Sequence, residues 1–244
     1  MKFGGVDGTR TYYSAGVSVF HDKNENIHSF CLCLYVRAGS LFETKENNGI
    51  SHFFEHIVFK NIHYQMGENL YQTLDRCGLD FNASTYEEFI QFIITGAPAH
   101  FEEAAEILTG IFEPITLPEE VIDTERKRIK AEIREEDEES SLAYFTKKIA
   151  WKNTSLERTI TGKKKTLDKI KGKQLRKFQK EVLSSNNIFF YISGNYPETA
   201  VVTVTKLMEN YPLTVMKKER KNLAPVPKRF FARKPKVYVK NSKK

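Results

Sequence analysis

The stretch Gly49-Ile-Ser-His-Phe-Phe-Glu-His-Ile-Val-Phe-Lys60 decides how the rest of the chain is read. On a helix, residues four apart stand one above the other, so His52 and His56 present two imidazoles to one point. That spacing is the bite a zinc ion takes from a pair of nitrogen ligands. Glu55, between the two, borders the same point and is placed to hold a proton without being a ligand. Gly49 and Ser51 supply a helix start, with Ser51 the expected N-cap. Phe53, Ile57 and Phe59 give the helix an apolar side to bury while the His pair faces a cleft. Two imidazoles and a carboxylate on a core-facing helix are costly to desolvate without a partner, which favours metal over buried structural histidines. The metal reading requires a third ligand.

The surrounding chain can house such a site. Its 244 residues are enough for one domain with a sizeable core, or one domain with an appendage. The net charge of +7 is unevenly spread. Residues 217–244 hold 12 Lys/Arg and one acid, so residues 1–216 keep 26 basic and 30 acidic side chains, a net −4. A slightly acidic body with a basic tail argues against a nucleic-acid-binding fold, which puts its positive charge on a folded face. Cys31, Cys33 and Cys77 are too few for a disulfide framework, and Cys31 and Cys33 share one face of a strand that reads as core. No membrane span and no hydrophobic signal region are expected, which makes a cytoplasmic setting the default.

In chain order, residues 12–20 and 28–37 are rich in aromatic and β-branched residues around a polar turn, an expected antiparallel pair. Residues 43–48 read as a polar loop leading into the His52–His56 helix. A helix over 67–77 stops at Gly78. Asn82, Ala83, Ser84 and Thr85, short and polar, read by themselves as a turn into a strand over 89–95. Residues 98–112 form an amphipathic helix, and Pro118-Glu119-Glu120 opens the next one. On that helix Glu125 and Glu132 share the stripe of Ile122, Ile129 and Ile133, since seven residues make nearly two turns. A carboxylate on an apolar face must pair, take a proton or bind metal. Helices over 140–151 and 167–183, a strand over 187–193 and a helix over 197–210 follow. The class is α+β, a mixed, mostly antiparallel sheet packed by helices. The domain is expected over 1–215, with 216–244 a basic, proline-containing linker ending in a strand-like Lys236-Val-Tyr-Val-Lys240.

These residues together resemble the pitrilysin/insulinase-type metallopeptidases, the family of insulin-degrading enzymes and the mitochondrial processing peptidase. The resemblance rests on Arg37-Ala-Gly-Ser40 with Glu43, on the inverted His-x-x-Glu-His pattern, and on Gly78 through Thr85. It continues through Glu125-Arg126 with Glu132-Ile133, Ile160-Thr161-Gly162 and Ser193-Gly194-Asn195. The family's third ligand is a glutamate paired with another seven residues earlier, and here Glu132 lies 76 residues beyond His56. The resemblance implies one zinc ion (Zn2+) per chain held by His52, His56 and Glu132, with Glu55 the general base and then acid. Glu125 then orients a ligand, and Asn82, Ala83 and Ser84 line the strand edge onto which a peptide substrate adds. This replaces the turn reading of that segment. Phe54 and Asn61 depart from the family's commoner aliphatic residue and glycine, a neutral packing variation. The implied function is a zinc endopeptidase that cuts short or unfolded peptides and needs a second pitrilysin-like half-domain or subunit to close the cleft. The alternative is a non-catalytic structural subunit of such a complex.

Overall fold

A computed structural model describes residues 9–12, 16–135, 141–216 and 238–239. Among these residues six strands form one sheet: β1 (Thr9–Tyr12), β2 (Ser18–Lys23), β3 (Phe30–Val36), β4 (Asp80–Thr85), β5 (Ile90–Gly96) and β6 (Ile188–Gly194). Their order is β1-β2-β6-β3-β5-β4. The β2–β6 pairing is parallel; β1–β2, β6–β3, β3–β5 and β5–β4 are antiparallel. The mixed, mostly antiparallel α+β architecture is therefore as expected. The expected hairpin between the first two long strands is not. β2 and β3 do not pair, because β6, arriving from the far end of the domain, lies between them. Local polarity at residues 21–26 marks a reversal of the chain but carries no information about the insertion of a strand that begins only at Ile188.

Alternation along the strands separates two faces. Phe30, Leu32, Leu34 and Val36 of β3, with Ile90, Phe92 and Ile94 of β5 and Phe190 and Ile192 of β6, are 0–1 % exposed and join the core. The helices α1 (Ile50–Met66), α3 (Phe101–Thr109), α4 (Glu119–Glu135), α7 (Gly172–Val182) and α8 (Ala200–Glu209) contribute to that same core. α2 (Asn69–Cys77), α5 (Leu142–Ala150) and the single turn α6 (Lys164–Leu167) complete the described helices. Cys31, Cys33 and Tyr35 alternate with the helix-facing positions of β3, so the two cysteines share the opposite face of the sheet, where Cys33 is buried as expected and Cys31 is only partly so. Tyr35 stacks there on Phe189 at 4.8 Å. Among the described residues no helix is long and apolar enough to cross a membrane. The linker expected over 216–244 lies outside the described residues except for Met216, Tyr238 and Val239, and the last two belong to no strand.

The helix that carries the histidines is fixed on several sides. Positions 53, 54, 57 and 58 fall within an arc of about 140° on a 3.6-residue helix, leaving 52, 55, 56 and 59 to the opposite side. Phe53, Phe54, Ile57 and Val58 are 0–2 % exposed, so each contributes roughly 1.5–3 kcal/mol and together they set the helix rotation. Phe54 meets Phe178 of α7 at 5.5 Å, and the Arg126 guanidinium lies over Phe53. Asn61, read from sequence as neutral, is buried and pins α1 to the loop before α4. Its Nδ2 donates to Pro114 O and its Oδ1 accepts from Thr116 N, at 3.1 and 3.0 Å.

The start of α1 differs from the expected serine cap. Gly49 occupies the N-cap with φ 95°, and Ser51 lies inside the helix, where its Oγ accepts the Gly39 N–H at 2.9 Å. A Cβ on Gly49 would lie 2.9 Å from the Gly162 Cα, so the two backbones cross in contact. Capping falls to Glu43, which is fully buried rather than part of a solvated polar loop. Its carboxylate accepts from Asn48 Nδ2, Gly49 N and Ser51 N at 2.8, 2.8 and 2.9 Å, an anion seated on a helix N-terminus. Glu43→Ala leaves the Gly49 and Ser51 N–H groups buried without an acceptor, while Asn48 Nδ2 keeps Thr159 O at 3.0 Å, at a cost of about 3 kcal/mol or more. A thermal melt followed by circular dichroism is expected to drop by roughly 6–12 °C. A melting temperature within about 1 °C of wild type would mean that water replaces the carboxylate freely.

Candidate metal centre

With α1 held in this rotation, His52 and His56 come together with their ring centroids 4.7 Å apart. α4 packs alongside and brings two carboxylates to His56 from opposite sides. Glu132 Oε2 lies 3.4 Å from His56 Nε2, and Glu125 Oε2 lies 3.7 Å from His56 Nδ1. His52, His56 and Glu132 each offer one ligand atom, and these atoms lie within 4.8 Å of one another. The site is thus assembled from two elements separated by the β4–β5 hairpin and α3.

The electrostatics follow from burial. His52 is pushed down to about 3, first by burial and then by the neighbouring His56, and so stays neutral, the form that ligates metal. Its Nδ1 is shut off from water and has no hydrogen-bond partner. The His56 imidazole beside Glu125, with Lys60 and Arg128 beyond, holds that carboxyl below the ordinary carboxylate range. Lys60 Nζ is 3.8 Å from Glu125 Oε1, and Arg128 Nε is 3.6 Å from Glu132 Oε1. Burial pushes the Glu55 carboxyl up, opposed by the Thr85 hydroxyl, which donates to Glu55 Oε2.

The residues suit zinc. Two imidazoles and a carboxylate are a donor set of catalytic zinc sites, and tetrahedral ligands at about 2.0–2.1 Å place N and O about 3.3 Å apart, against the 3.4 Å found between His56 and Glu132. The orphaned Nδ1 of His52 is the kind of buried polar atom that calls for a partner. Glu125 faces the other ring nitrogen of His56, where the partner of a metal-held imidazole would sit.

Of the site residues read from the sequence, His52, His56 and Glu132 come together, Glu125 lies beside His56, and Glu55, Asn82 and Ala83 line the adjoining cleft. Asn82, Ala83 and Ser84 belong to β4, which is a strand and not a turn, and which forms one edge of the sheet. Asn82 and Ser84 are exposed, and the Ala83 N–H is met by Asn82 Oδ1 at 2.8 Å. Between β4, α1 and α2 runs a cleft walled by Phe59, Leu70, Leu74 and Phe81, with Lys60 and Arg128 adding positive charge and His63 on the same lining. Sequence reasoning assigned no role to Thr85, Lys60 or Arg128. Lys60 is four residues after His56 and Arg128 four before Glu132, so helical spacing places both at the site. Thr85 carried no such signal, because its approach to Glu55 depends on how β4 lies across α1.

Known proteins share these features. The family profile of Insulinase (Peptidase family M16) matches residues 18–164, more than half of the chain. An uncharacterized zinc protease, YmxG, from Bacillus subtilis is 27% identical over 198 residues, which are 80% of this chain and 48% of that protein. The mitochondrial-processing peptidase subunit beta of Rattus norvegicus is 31% identical over 155 residues, 63% of this chain and 32% of that subunit. The chain thus spans about half the length of the first and a third of the second. In fold, a peptidase M16 inactive domain from Pseudomonas fluorescens superposes with a TM-score of 0.77 at 13% identity, over 90% of this chain and 54% of that one.

Proposed function

The chain belongs to the insulinase family of peptidases, family M16, and from that premise we propose that it is the catalytic half of a zinc-dependent endopeptidase. Its substrates in this reading are short or unfolded peptides, and a second, homologous domain closes the cleft over them. The observation that carries the reading is the meeting of His52, His56 and Glu132, with Glu55 on the same helical face as both histidines. A subunit kept only for its fold has no need of this set. The name of the Pseudomonas neighbour, an inactive domain, makes a non-catalytic role the alternative to test.

The chemistry divides between the ion and the chain. Zinc held by His52, His56 and Glu132 would polarise the scissile carbonyl and make water acidic enough to attack near neutral pH. The chain's own residues do the rest. An extended peptide pairs with the open main-chain edge of β4 at Asn82, Ala83 and Ser84, which tolerates varied sequence, and Asn82 Oδ1 swings off the Ala83 N–H to admit it. Glu55 takes the proton of the attacking water and returns it to the leaving amine. Thr85 holds Oε2 of Glu55, which leaves Oε1 for the transferred proton. Glu125 faces His56 Nδ1 and so keeps Nε2 turned toward Glu132.

Elemental analysis beside a peptide-cleavage assay tests this reading. The wild-type chain is expected to hold zinc at this centre, and His52→Ala and Glu132→Gln to lose most of it, since each removes a ligand. Full zinc retention at this centre by both variants would sink the ligand assignment. Zinc at this centre without turnover in any assembly would favour the structural-subunit alternative.

A further inference from the structure

A second group of donor atoms lies away from the catalytic centre. Cys77 ends α2, His100 closes the short 3-10 turn Pro98–His100, and Glu103 stands in the first turn of α3. Their ligand atoms lie within 4.8 Å of one another. Strand pairing brings the three together. β4 leaves just after Cys77 and β5 returns just before His100, with Asp80 opposite Thr95 at the mouth of the hairpin. Leu79 lies so close over Gly96 that a Cβ there would meet its Cδ2 at 2.4 Å. The backbone around the group is therefore fixed by the fold. It sits at the Asp80 end of β4, whereas Glu55 meets the Thr85 end, about 17 Å away at 3.3–3.4 Å per residue.

Ordinary packing accounts for this group poorly. Cys77 is only 5 % exposed, and its Sγ is 4.0 Å from Glu103 Oε1, a long and weak contact for a thiol. His100 Nδ1 is shut off from water and makes no hydrogen bond, although Glu103 Oε1 is 3.5 Å away. A histidine–carboxylate ion pair would close to hydrogen-bonding distance. The same spacings suit a shared cation. Tetrahedral zinc with a sulfur ligand at about 2.3 Å and N or O ligands at about 2.0–2.1 Å sets donors about 3.3–3.6 Å apart.

We propose that Cys77, His100 and Glu103 form a second metal site, for a divalent ion of borderline softness, with zinc the natural occupant. One thiolate, one imidazole and one carboxylate select such an ion over magnesium or calcium, which take all-oxygen shells. His100 and Glu103 are about a third exposed, so the fourth position faces solvent and takes water. The ion ties the last turn of α2 to the first turn of α3. Leu70 and Leu74 of α2 wall the catalytic cleft, so the clamp fixes one wall of the substrate channel from its far end.

Cobalt(II) reads this site separately from the first, whose ligands contain no sulfur. The full chain, stripped by chelator, is titrated with cobalt(II) both as wild type and as the His52→Ala, Glu132→Gln double variant. Both are expected to show a near-ultraviolet thiolate-to-cobalt charge-transfer band that saturates at one equivalent in the double variant. Cys77→Ser removes the band. His100→Ala, at a position about a third exposed and with little effect on packing, weakens cobalt binding more than about tenfold, since even a supporting residue costs that much. Cys31→Ser with Cys33→Ser leaves the band unchanged. Absence of the band from both wild type and double variant overturns the proposal. So does a band that disappears with Cys31 and Cys33 while surviving Cys77→Ser and His100→Ala.

Discussion

Glu55→Gln is expected to lower peptide hydrolysis by the assembled enzyme by roughly 10²–10⁴-fold or more, the worth of a positioned general base, while zinc content stays at the wild-type level. The change keeps the side chain's size and its acceptor oxygen for Thr85, so the helix face and the neighbouring histidines are undisturbed. What it removes is the ability to take a proton. Burial of Glu55 raises its carboxyl, and a base raised toward neutrality both accepts a proton from water and surrenders it to an amine. Measuring kcat and zinc on the same preparation separates this role from ligation, because His52→Ala or Glu132→Gln lowers both together. A Glu55→Gln enzyme that turns over at the wild-type rate would transfer the role to another carboxylate, and Glu125 is the one beside His56 that the proposed ligand set leaves free.

Much of this centre was legible in the sequence, and the reason is geometric. His52, Glu55 and His56 lie within one helical turn, where spacing alone fixes relative position. Glu125 and Glu132 betrayed themselves as carboxylates on an apolar helical stripe, although only the family resemblance joined that stripe to the histidines 76 residues earlier. What stayed hidden depends on tertiary contacts. The insertion of β6 between β2 and β3 is decided by how the whole sheet buries its aliphatic face, not by the turn that links the two strands. Exposure alternates along Asp80–Thr85 because this edge strand has one wet face, and its short polar stretch from Asn82 to Thr85, read alone, resembles a turn. Glu43 is the instructive case. A glutamate in a polar stretch reads as solvated, yet here it lies fully buried because three donors at the start of α1 converge on it.

The 244-residue chain alone is expected to be weakly active or silent, and to gain at least about a hundredfold in peptide cleavage on adding a second pitrilysin-like domain, in cis or in trans. The argument starts from the open side of the cleft. A peptide on the β4 edge would be paired along one side only, with Asn82 and Ser84 facing solvent. Tyr71 of α2 lines the cleft and is 59% exposed, its ring 5.0 Å from that of His63. A large aromatic side chain left in water in such a cleft suits a covering surface. Covering it expels water from around Glu55, which strengthens every charge interaction there, and holds the scissile bond at the distance attack requires. Size-exclusion chromatography with light scattering, run beside a cleavage assay with and without the added domain, makes the comparison. Activity that rises with complex formation and saturates with it is the expected result. A monomer of 28.3 kDa with full activity, unchanged by the added domain, would mean that the β4 edge and the walls of this cleft hold a peptide well enough by themselves.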